Sequence, residues 1–282
     1  MGKVTFSGHE SFQCKSLWLK KGYDYLVNKK SFTDDDSVVA LGVGKNMVSA
    51  IRFWLKSFGI TEESDKTTNF GDFLFQENGA DPFIEDISTL WLLHYQLVKS
   101  GHATLYHLLF SGFHKTRNEF TKTQLLSYIK RHFAEEKTSG FVFNENTVSK
   151  DIDTFLKNYV APQQQTNYED FSTLLLPLNL IRRIDKVTFA FNDTSRASIH
   201  PLVFLYALKD VAADNKILEF DAILDLCRIF CLNTNDLYDI FEKLNQWNPA
   251  ISFDNAAGEQ LFTMNDGMDK MQILKHLYQD NF

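Results

Sequence analysis

The sequence has few cysteines and no long hydrophobic run. Its three cysteines, Cys14, Cys227 and Cys231, are too few and too scattered for a disulfide framework, so they indicate a reducing compartment. No second Cys or His pair near Cys227 and Cys231 completes a zinc-type spacing, which favours packing over metal binding. No apolar stretch approaches the roughly 20 residues of a membrane span, and the first residues lack the apolar region of a secretory signal. We therefore expect a soluble cytoplasmic protein that does not enter the membrane.

An excess of basic charge is also missing. The formal net charge is −7, which excludes a protein coated in positive charge. Nucleic-acid binding is still possible, because a local basic surface can dominate at a contact. What the chain does have is apolar material: 44% of its residues are hydrophobic and 26 are Phe, enough for several small cores.

The length and the breaks in the chain predict three modules. A chain of 282 residues suggests two or three domains. A polar linker is expected at 161–167 and strong turns at 76–82. We therefore predict an N-terminal winged-helix-like module at 1–80, a helical second module at 81–165 and a C-terminal winged-helix-like module at 166–282.

One pattern recurs about three times along the chain, near 34–75, 121–159 and 220–262. It consists of helices, a short turn, an amphipathic helix and a short β-like segment. The predicted fold is therefore mainly α, with tandem winged-helix or helix-turn-helix modules and short β-hairpin wings. In the first copy, the Phe-rich segment at 60–75 around Gly71-Asp72 is expected to form such a hairpin.

The first copy carries the strongest functional signal. A helix is predicted to begin near Lys45 and to stop at Gly59. Its buried stripe would consist of Met47, Val48, Ile51, Trp54, Leu55 and Phe58.

The opposite face of this helix offers Lys45, Ser49, Arg52 and Lys56 at i, i+4, i+7 and i+11, with Asn46 at its edge. Lys and Arg neutralise phosphates, and Asn and Arg can make bidentate contacts with bases. No acidic residue of the helix interrupts the stripe. These five residues are therefore predicted to bind DNA, the alternative being an ordinary solvated helix face. The preceding GVGKN is not a P-loop, because it lacks the earlier Gly and the Ser or Thr after the Lys.

The later copies have less suitable surfaces. The exposed face of the helix near 148–159 mixes Lys with Asp, which makes it a poor phosphate-binding face. The corresponding helix of the third copy presents Asp236, Asp239 and Glu242. That helix is expected to pack against protein.

The N-terminal segment FSGHESF offers candidate chemistry. His9 could act as a base or metal ligand, Glu10 as a metal ligand or orienting carboxylate, and Lys15 as a cation that stabilises a leaving oxygen. We therefore predict these three as catalytic residues. In the alternative, His9 caps the following helix and Glu10 pairs with Lys15 or Arg52.

Several segments in fixed order resemble a known bacterial family. They are FSGHESF, LWLKKGYD, VVALGVGKNMVSAIRFWLKSFGI and STLWLLHYQL, followed by FTKTQLLSYI, TVSKDIDTFLKNYV and LLLPLNLI. The family is a domain of unknown function that includes the SspB-like DNA-nicking component of single-strand DNA phosphorothioation defence systems. The resemblance places its motifs on His9, Glu10, Lys45, Asn46 and Arg52.

The resemblance implies a DNA-binding protein of a phosphorothioation and phage-defence system that nicks DNA to allow sulfur insertion. It would work with other proteins of the defence locus. Nicking would require a divalent metal such as Mg²⁺ or Mn²⁺, whose ligands the motifs do not identify. The alternative is a non-enzymatic winged-helix adaptor or regulator that brings modification enzymes to DNA. The oligomeric state stays open.

Overall fold

The computed structural model describes residues 4–135, 141–162, 172–194, 199–213, 215–256 and 259–279. Of the predicted linker at 161–167, residues 163–167 lie outside these ranges. The chain forms two compact units, Met1–Asn192 and Asp193–Phe282. The structure is mainly helical, as predicted, with two small antiparallel sheets. None of the described helices is long and apolar enough to cross a membrane.

The first unit is built of eight α-helices and one sheet within its described residues. The helices are α1 (Trp18–Val27), α2 (Ser37–Leu41), α3 (Lys45–Ser57), α4 (Asn69–Phe75), α5 (Ile87–Ser100), α6 (Thr104–His107), α7 (Lys122–Glu135) and α8 (Glu145–Tyr159). A π-helical turn and a 3₁₀ turn continue α6 through 108–115. The strands are β1 (Glu119–Thr121), β2 (Ile181–Arg183) and β3 (Thr188–Phe191). They are antiparallel in the order β1-β3-β2.

The second unit repeats this strand arrangement. Its helices are α9 (Pro201–Ala212), α10 (Phe220–Phe230), α11 (Thr234–Trp247) and α12 (Lys270–Tyr278). Its strands, β4 (Ile217–Glu219), β5 (Ile251–Ala256) and β6 (Glu259–Met264), are antiparallel in the order β4-β6-β5. Residues 257–258, between β5 and β6, lie outside the described ranges. Phe241 of α11 stacks on Phe253 and Phe262 of the sheet.

The turn between α2 and α3 forms where the glycines predicted it. Gly42 ends α2 in the left-handed conformation with φ of 61°, which costs glycine little. Gly44 is extended, and α3 begins at Lys45 as predicted.

The apolar stripe of α3 lies in the core, except for Met47, which is only half-buried. Trp54 and Phe58 are completely buried, which confirms the predicted orientation of the helix. The indole Nε1–H of Trp54 donates to the carbonyl of Phe12 at 3.1 Å. This bond secures the N-terminal segment to α3.

The hairpin predicted around Gly71-Asp72 is wrong, because residues 69–75 form α4, and the strand pairing within 60–75 is limited to a single antiparallel bridge between Thr61 and Thr67. The Thr68 side chain caps the helix by accepting the Gly71 N–H. Phe70, Leu74 and Phe75 are buried on one side of the helix. A Cβ on Gly71 would lie 2.5 Å from the carbonyl oxygen of Ile60. Glycine is therefore needed at this position for close packing and not for a hairpin turn. The spacing of these apolar residues fits a helix.

Truncating the central tryptophan should destabilise the first unit strongly. Trp54→Ala is expected to cost about 3–5 kcal/mol of unfolding free energy, since it empties a fully packed site. Trp54→Phe keeps most of the ring volume but leaves the Phe12 carbonyl without its donor, and it should cost about 1–3 kcal/mol. Urea unfolding monitored by circular dichroism measures both. Equal losses for the two variants would show that the hydrogen bond, and not the packing, dominates.

Candidate nucleic-acid interface

The five predicted DNA-binding residues of α3 divide into two groups. Lys45, Asn46 and Ser49 are exposed on the first turns of the helix. Arg52 and Lys56 are only half exposed, because the loop that follows α3 folds back over them.

Asp65 of this loop pairs with both members of the second group. Its carboxylate binds Arg52 through two hydrogen bonds, Nε to Oδ1 at 2.9 Å and Nη2 to Oδ2 at 2.6 Å. Lys56 Nζ lies 3.2 Å from Asp65 Oδ1 and donates to the carbonyl of Glu63 at 2.6 Å. The predicted stripe is therefore basic only at its N-terminal end.

The pKa directions agree with this network. The hydrogen bond to Asp65 raises the pKa of the Arg52 guanidinium. Burial raises the pKa of the Asp65 carboxyl, but the hydrogen bonds from Arg52 and Lys56 outweigh burial and hold the pKa below its ordinary value of 3.8. The network therefore stabilises the fold above that value and loses this contribution as the pH falls through the lower folded pKa.

Asp65→Asn tests this linkage. Asp65 has φ of 66°, a conformation that Asn tolerates, so the change removes charge with little backbone strain. We expect a loss of about 1 kcal/mol at pH 7 that shrinks as the pH falls below 3.8 and through the lower folded pKa of Asp65. Asp36→Asn, at the exposed pair with Lys30, is the matched control and should change stability little. A loss that is the same at pH 7 and pH 3 would contradict the role of the charge.

The structure places His9 in the core. Its side chain is only 2% exposed and stacks on the Trp54 ring at 5.8 Å between centroids. Nδ1 accepts the N–H of Ser11 at 3.1 Å, so in this geometry the ring proton of the neutral form resides on Nε2. Nε2 lies 3.3 Å from Oδ1 of Asp151 in α8, without the alignment of a hydrogen bond.

Asp151 connects α8 to the same turn. Both of its carboxylate oxygens lie 3.0 Å from the N–H of Ser7. Between these residues, a Cβ on Gly8 would lie 2.4 Å from the ring of Phe53, so only glycine fits. The GHE segment is therefore a packed turn held by a buried carboxylate.

The other two predicted catalytic residues lie in different environments. Glu10 is exposed and has φ of 50°, between Ser7 at 61° and Ser11 at 63°. Three left-handed non-glycine residues within five positions are uncommon, and such strain often accompanies functional sites. Lys15 is half-buried, and its backbone forms an antiparallel bridge with Thr173. Their catalytic role stays a prediction.

His9 and Glu10 should differ sharply in their effect on stability. His9→Ala leaves a cavity beside Trp54 and removes the ring that lies beside the buried Asp151 carboxylate. We therefore expect a loss of about 2–4 kcal/mol in the free energy of unfolding. Glu10→Ala removes an exposed side chain and should leave the melting temperature within about 2 °C of wild type. Differential scanning calorimetry measures both. An unchanged melting temperature for His9→Ala would contradict its structural role.

A cleft of about 1000 Å³ opens beside this turn, within the first unit. Its wall residues come from the segments 11–15, 121–123, 153–162 and 183–189, together with Met47 near the start of α3, although not every residue of these segments lines it. The N-terminal segment, α7, α8 and the β2–β3 hairpin therefore all contribute to it. Lys15 lies in the cleft, and the neighbour of Glu10, Ser11, lies at its wall.

The lining of the cleft is basic. Its cations are Lys15, Lys122, Lys157, Arg183 and Lys186. Asp153 is the one carboxylate among the described lining residues, and it pairs with Lys122. Lys157 and Lys186 are exposed and have no carboxylate partner in the described part of the chain. The positive charge is therefore only partly compensated.

Arg183 is positioned by an aromatic ring instead of an acid. Its guanidinium carbon lies 4.7 Å from the centroid of the Phe189 ring. Its Nε is buried without a hydrogen-bond partner among the described residues. Such an arginine keeps donors for a bound anion.

The cleft residues other than Lys15 were not predicted as site residues. They come from segments more than 100 positions apart, so no single helix face reveals them. The Arg182-Arg183 and Lys186 cluster was the one local signal, because it places cations around a short turn between apolar strands.

The described residues of the cleft do not form a ready magnesium site. Mg²⁺ prefers octahedral oxygen ligands, commonly one or two carboxylates with water and substrate phosphates. Asp153 already pairs with Lys122, and both ring nitrogens of His9 face protein groups. Glu10 and Asp185 are exposed and adjacent in sequence to wall residues, but neither lines the cleft. These separate carboxylates do not form a metal centre.

The comparisons with known proteins agree with the sequence resemblance. A family model described as "Protein of unknown function (DUF4007)" matches residues 6–278. A solved structure described as a magnesium ion-bound SspB crystal structure superposes with a TM-score of 0.84 at 26% identity, covering 98% of this chain and 88% of that one. A second SspB crystal structure gives a TM-score of 0.83 at 27% identity with the same coverage. A search among curated proteins finds no significant match.

Proposed function

The chain belongs to the DUF4007 family, and we propose that it is a DNA-binding protein of a bacterial phosphorothioation system for phage defence. The similarity to SspB supports the system. The basic cleft of the first unit supports the binding.

One observation carries the DNA-binding proposal. A protein with a net charge of −7 places five cations against one carboxylate in a single cleft. An anionic polymer with regularly spaced phosphates matches such a lining better than a small neutral ligand does. Lys157 and Lys186 supply mobile charges, and Arg183 supplies fixed donors.

The order of elements supports a winged-helix interpretation of two segments. β1-α7-α8-β2-β3 and β4-α10-α11-β5-β6 both run strand, helix, helix, strand, strand, with the last strand central in the sheet. This order is typical of winged helices. The modules 1–80, 81–165 and 166–282 stay a prediction, but the sheet of β1 also includes β2 and β3, which lie beyond residue 165. In the winged-helix interpretation, β2 and β3 form a wing beside the cleft.

In this interpretation, α8 is an unusual recognition helix. Asp151 and Asn158 of α8 are buried against the N-terminal segment, where Asn158 accepts the N–H of Cys14. The exposed Lys157 stays available on its other side. DNA would therefore contact α8 along one edge, with the N-terminal segment forming the opposite wall.

Charge reversal in the cleft tests the proposal. Lys157→Glu with Lys186→Glu should weaken binding of a fluorescein-labelled duplex by roughly tenfold or more and lower the slope of log K against log salt by about 2. Fluorescence anisotropy at several salt concentrations measures both quantities. The physical reason is the loss of two phosphate contacts.

The matched control is Lys130→Glu with Lys243→Glu. Both lysines are exposed and neither lines the cleft. Because both variants replace two lysines by glutamate, they have the same net charge. It should keep at least about a third of the wild-type affinity. Equal weakening in the two variants would indicate a general charge effect, and no binding by the folded wild type would contradict the proposed function.

DNA nicking is a second candidate function. Lys15 lies in the cleft, and the strained, exposed Glu10 precedes its wall residue Ser11. A carboxylate can accept the proton of an attacking water, and an ammonium can stabilise the leaving oxygen. One of the similar solved structures is a magnesium ion-bound SspB. Lys45, Asn46 and Ser49 would extend the DNA path along α3. Without nicking, the same surface suits a non-enzymatic adaptor for other proteins of the locus.

Supercoiled plasmid distinguishes the two functions. With Mg²⁺ or Mn²⁺, wild type should convert it to open circles, and EDTA should prevent this. Glu10→Gln and Lys15→Met should each lose at least about tenfold in rate while DNA affinity falls less than threefold. Absence of nicking by a DNA-binding wild type would favour the adaptor, nicking that persists in EDTA would contradict the metal requirement, and full activity in both variants would place the chemistry elsewhere.

A further inference from the structure

The turn between β2 and β3 has an unusual composition for an exposed turn. Ile184 is 41% exposed and Val187 is 64% exposed. Turns usually expose Gly, Asn, Asp or Ser, so β-branched apolar side chains at a hairpin tip need another explanation.

The backbone of this turn is tightly held. The N–H of Ile184 donates to the carbonyl of Thr188 at 2.9 Å. Asp185 Oδ1 accepts the N–H of Val187 at 2.8 Å and that of Thr188 at 2.9 Å. These backbone hydrogen bonds hold the pKa of the Asp185 carboxyl below its ordinary range. The carboxylate serves the turn, and the tip is preorganised before any partner binds.

Cations flank the apolar tip. Arg182 and Lys186 are exposed, and Arg183, Lys186 and Val187 line the basic cleft. The tip therefore continues the proposed phosphate-binding surface. An apolar edge between cations matches DNA, whose bases are apolar on their faces and whose backbone is anionic. A protein partner would have to satisfy the same cations with carboxylates.

We infer that Ile184 and Val187 form a wedge that contacts bases and unstacks one base step while the cleft holds the backbone. The inference rests on the proposed DNA binding and adds the form of DNA that is favoured. Unstacking costs less at a mismatch, so the cleft would prefer duplexes that open easily over fully paired ones. Such opening would give an enzyme access to one strand.

Duplexes with a single 2-aminopurine test the wedge, because the fluorescence of this base rises when it unstacks. Saturating wild-type protein should raise the signal, and a mismatched duplex should bind roughly tenfold more tightly than a paired one. Ile184→Thr with Val187→Thr keeps the β-branched shape but removes apolar surface. This variant should lose the fluorescence rise and the mismatch preference, while the salt slope stays unchanged because the phosphate contacts remain.

The matched control is Val211→Thr with Ile217→Thr, which changes one exposed Val and one exposed Ile of the second unit. It should retain the fluorescence rise, and circular dichroism should show both variants folded. If the Ile184→Thr/Val187→Thr variant binds DNA in a salt-dependent way with an unchanged fluorescence rise, the wedge is overturned but DNA binding stays in place. Absence of binding by wild type would overturn both. A mismatch preference that persists in the Ile184→Thr/Val187→Thr variant would likewise reject the wedge and assign the preference to another part of the cleft.

Discussion

The buried carboxylate of Asp151 is the constraint on which the geometry of the first unit depends. A buried charge is costly unless protein groups replace the water it loses. Here the N–H of Ser7 donates to the carboxylate, and Nε2 of His9 lies 3.3 Å from its Oδ1. Because they belong to the N-terminal segment, that segment must lie against α8. One wall of the cleft is thereby fixed relative to another.

Aromatic packing completes this arrangement. The His9 ring lies on Trp54, and the Trp54 indole binds the Phe12 carbonyl. Gly8 lets the turn approach Phe53 more closely than a side chain would permit. The strained residues Ser7, Glu10 and Ser11 are held in place by these contacts, so the strain is compensated by burial elsewhere. Glu10 is exposed on a turn whose other side belongs to the core.

The distribution of charge explains how an acidic protein could bind an anion. Asp65 and Glu63 neutralise the distal half of α3, whereas Lys157 and Lys186 of the cleft have no carboxylate partner within the described ranges. The α11 helix of the second unit has an acidic Asp239 and Glu242 on its exposed side. Local pairing, and not the total charge, therefore decides which surface attracts phosphate.

The sequence by itself determined the helical class, the start of α3 at Lys45, the burial of Trp54 and the family. Each follows from local signals, namely glycine turns, apolar spacing and ordered motifs. Tertiary structure decided the rest. Arg52 pairs with Asp65 across a loop, and the helix pattern does not reveal the path of that loop. His9 packs against Asp151, which lies more than 100 positions away in the sequence. The cleft likewise combines cations from distant segments. Periodicity reports which face of an element is apolar, but it carries no information about which charged groups the fold brings against the other face.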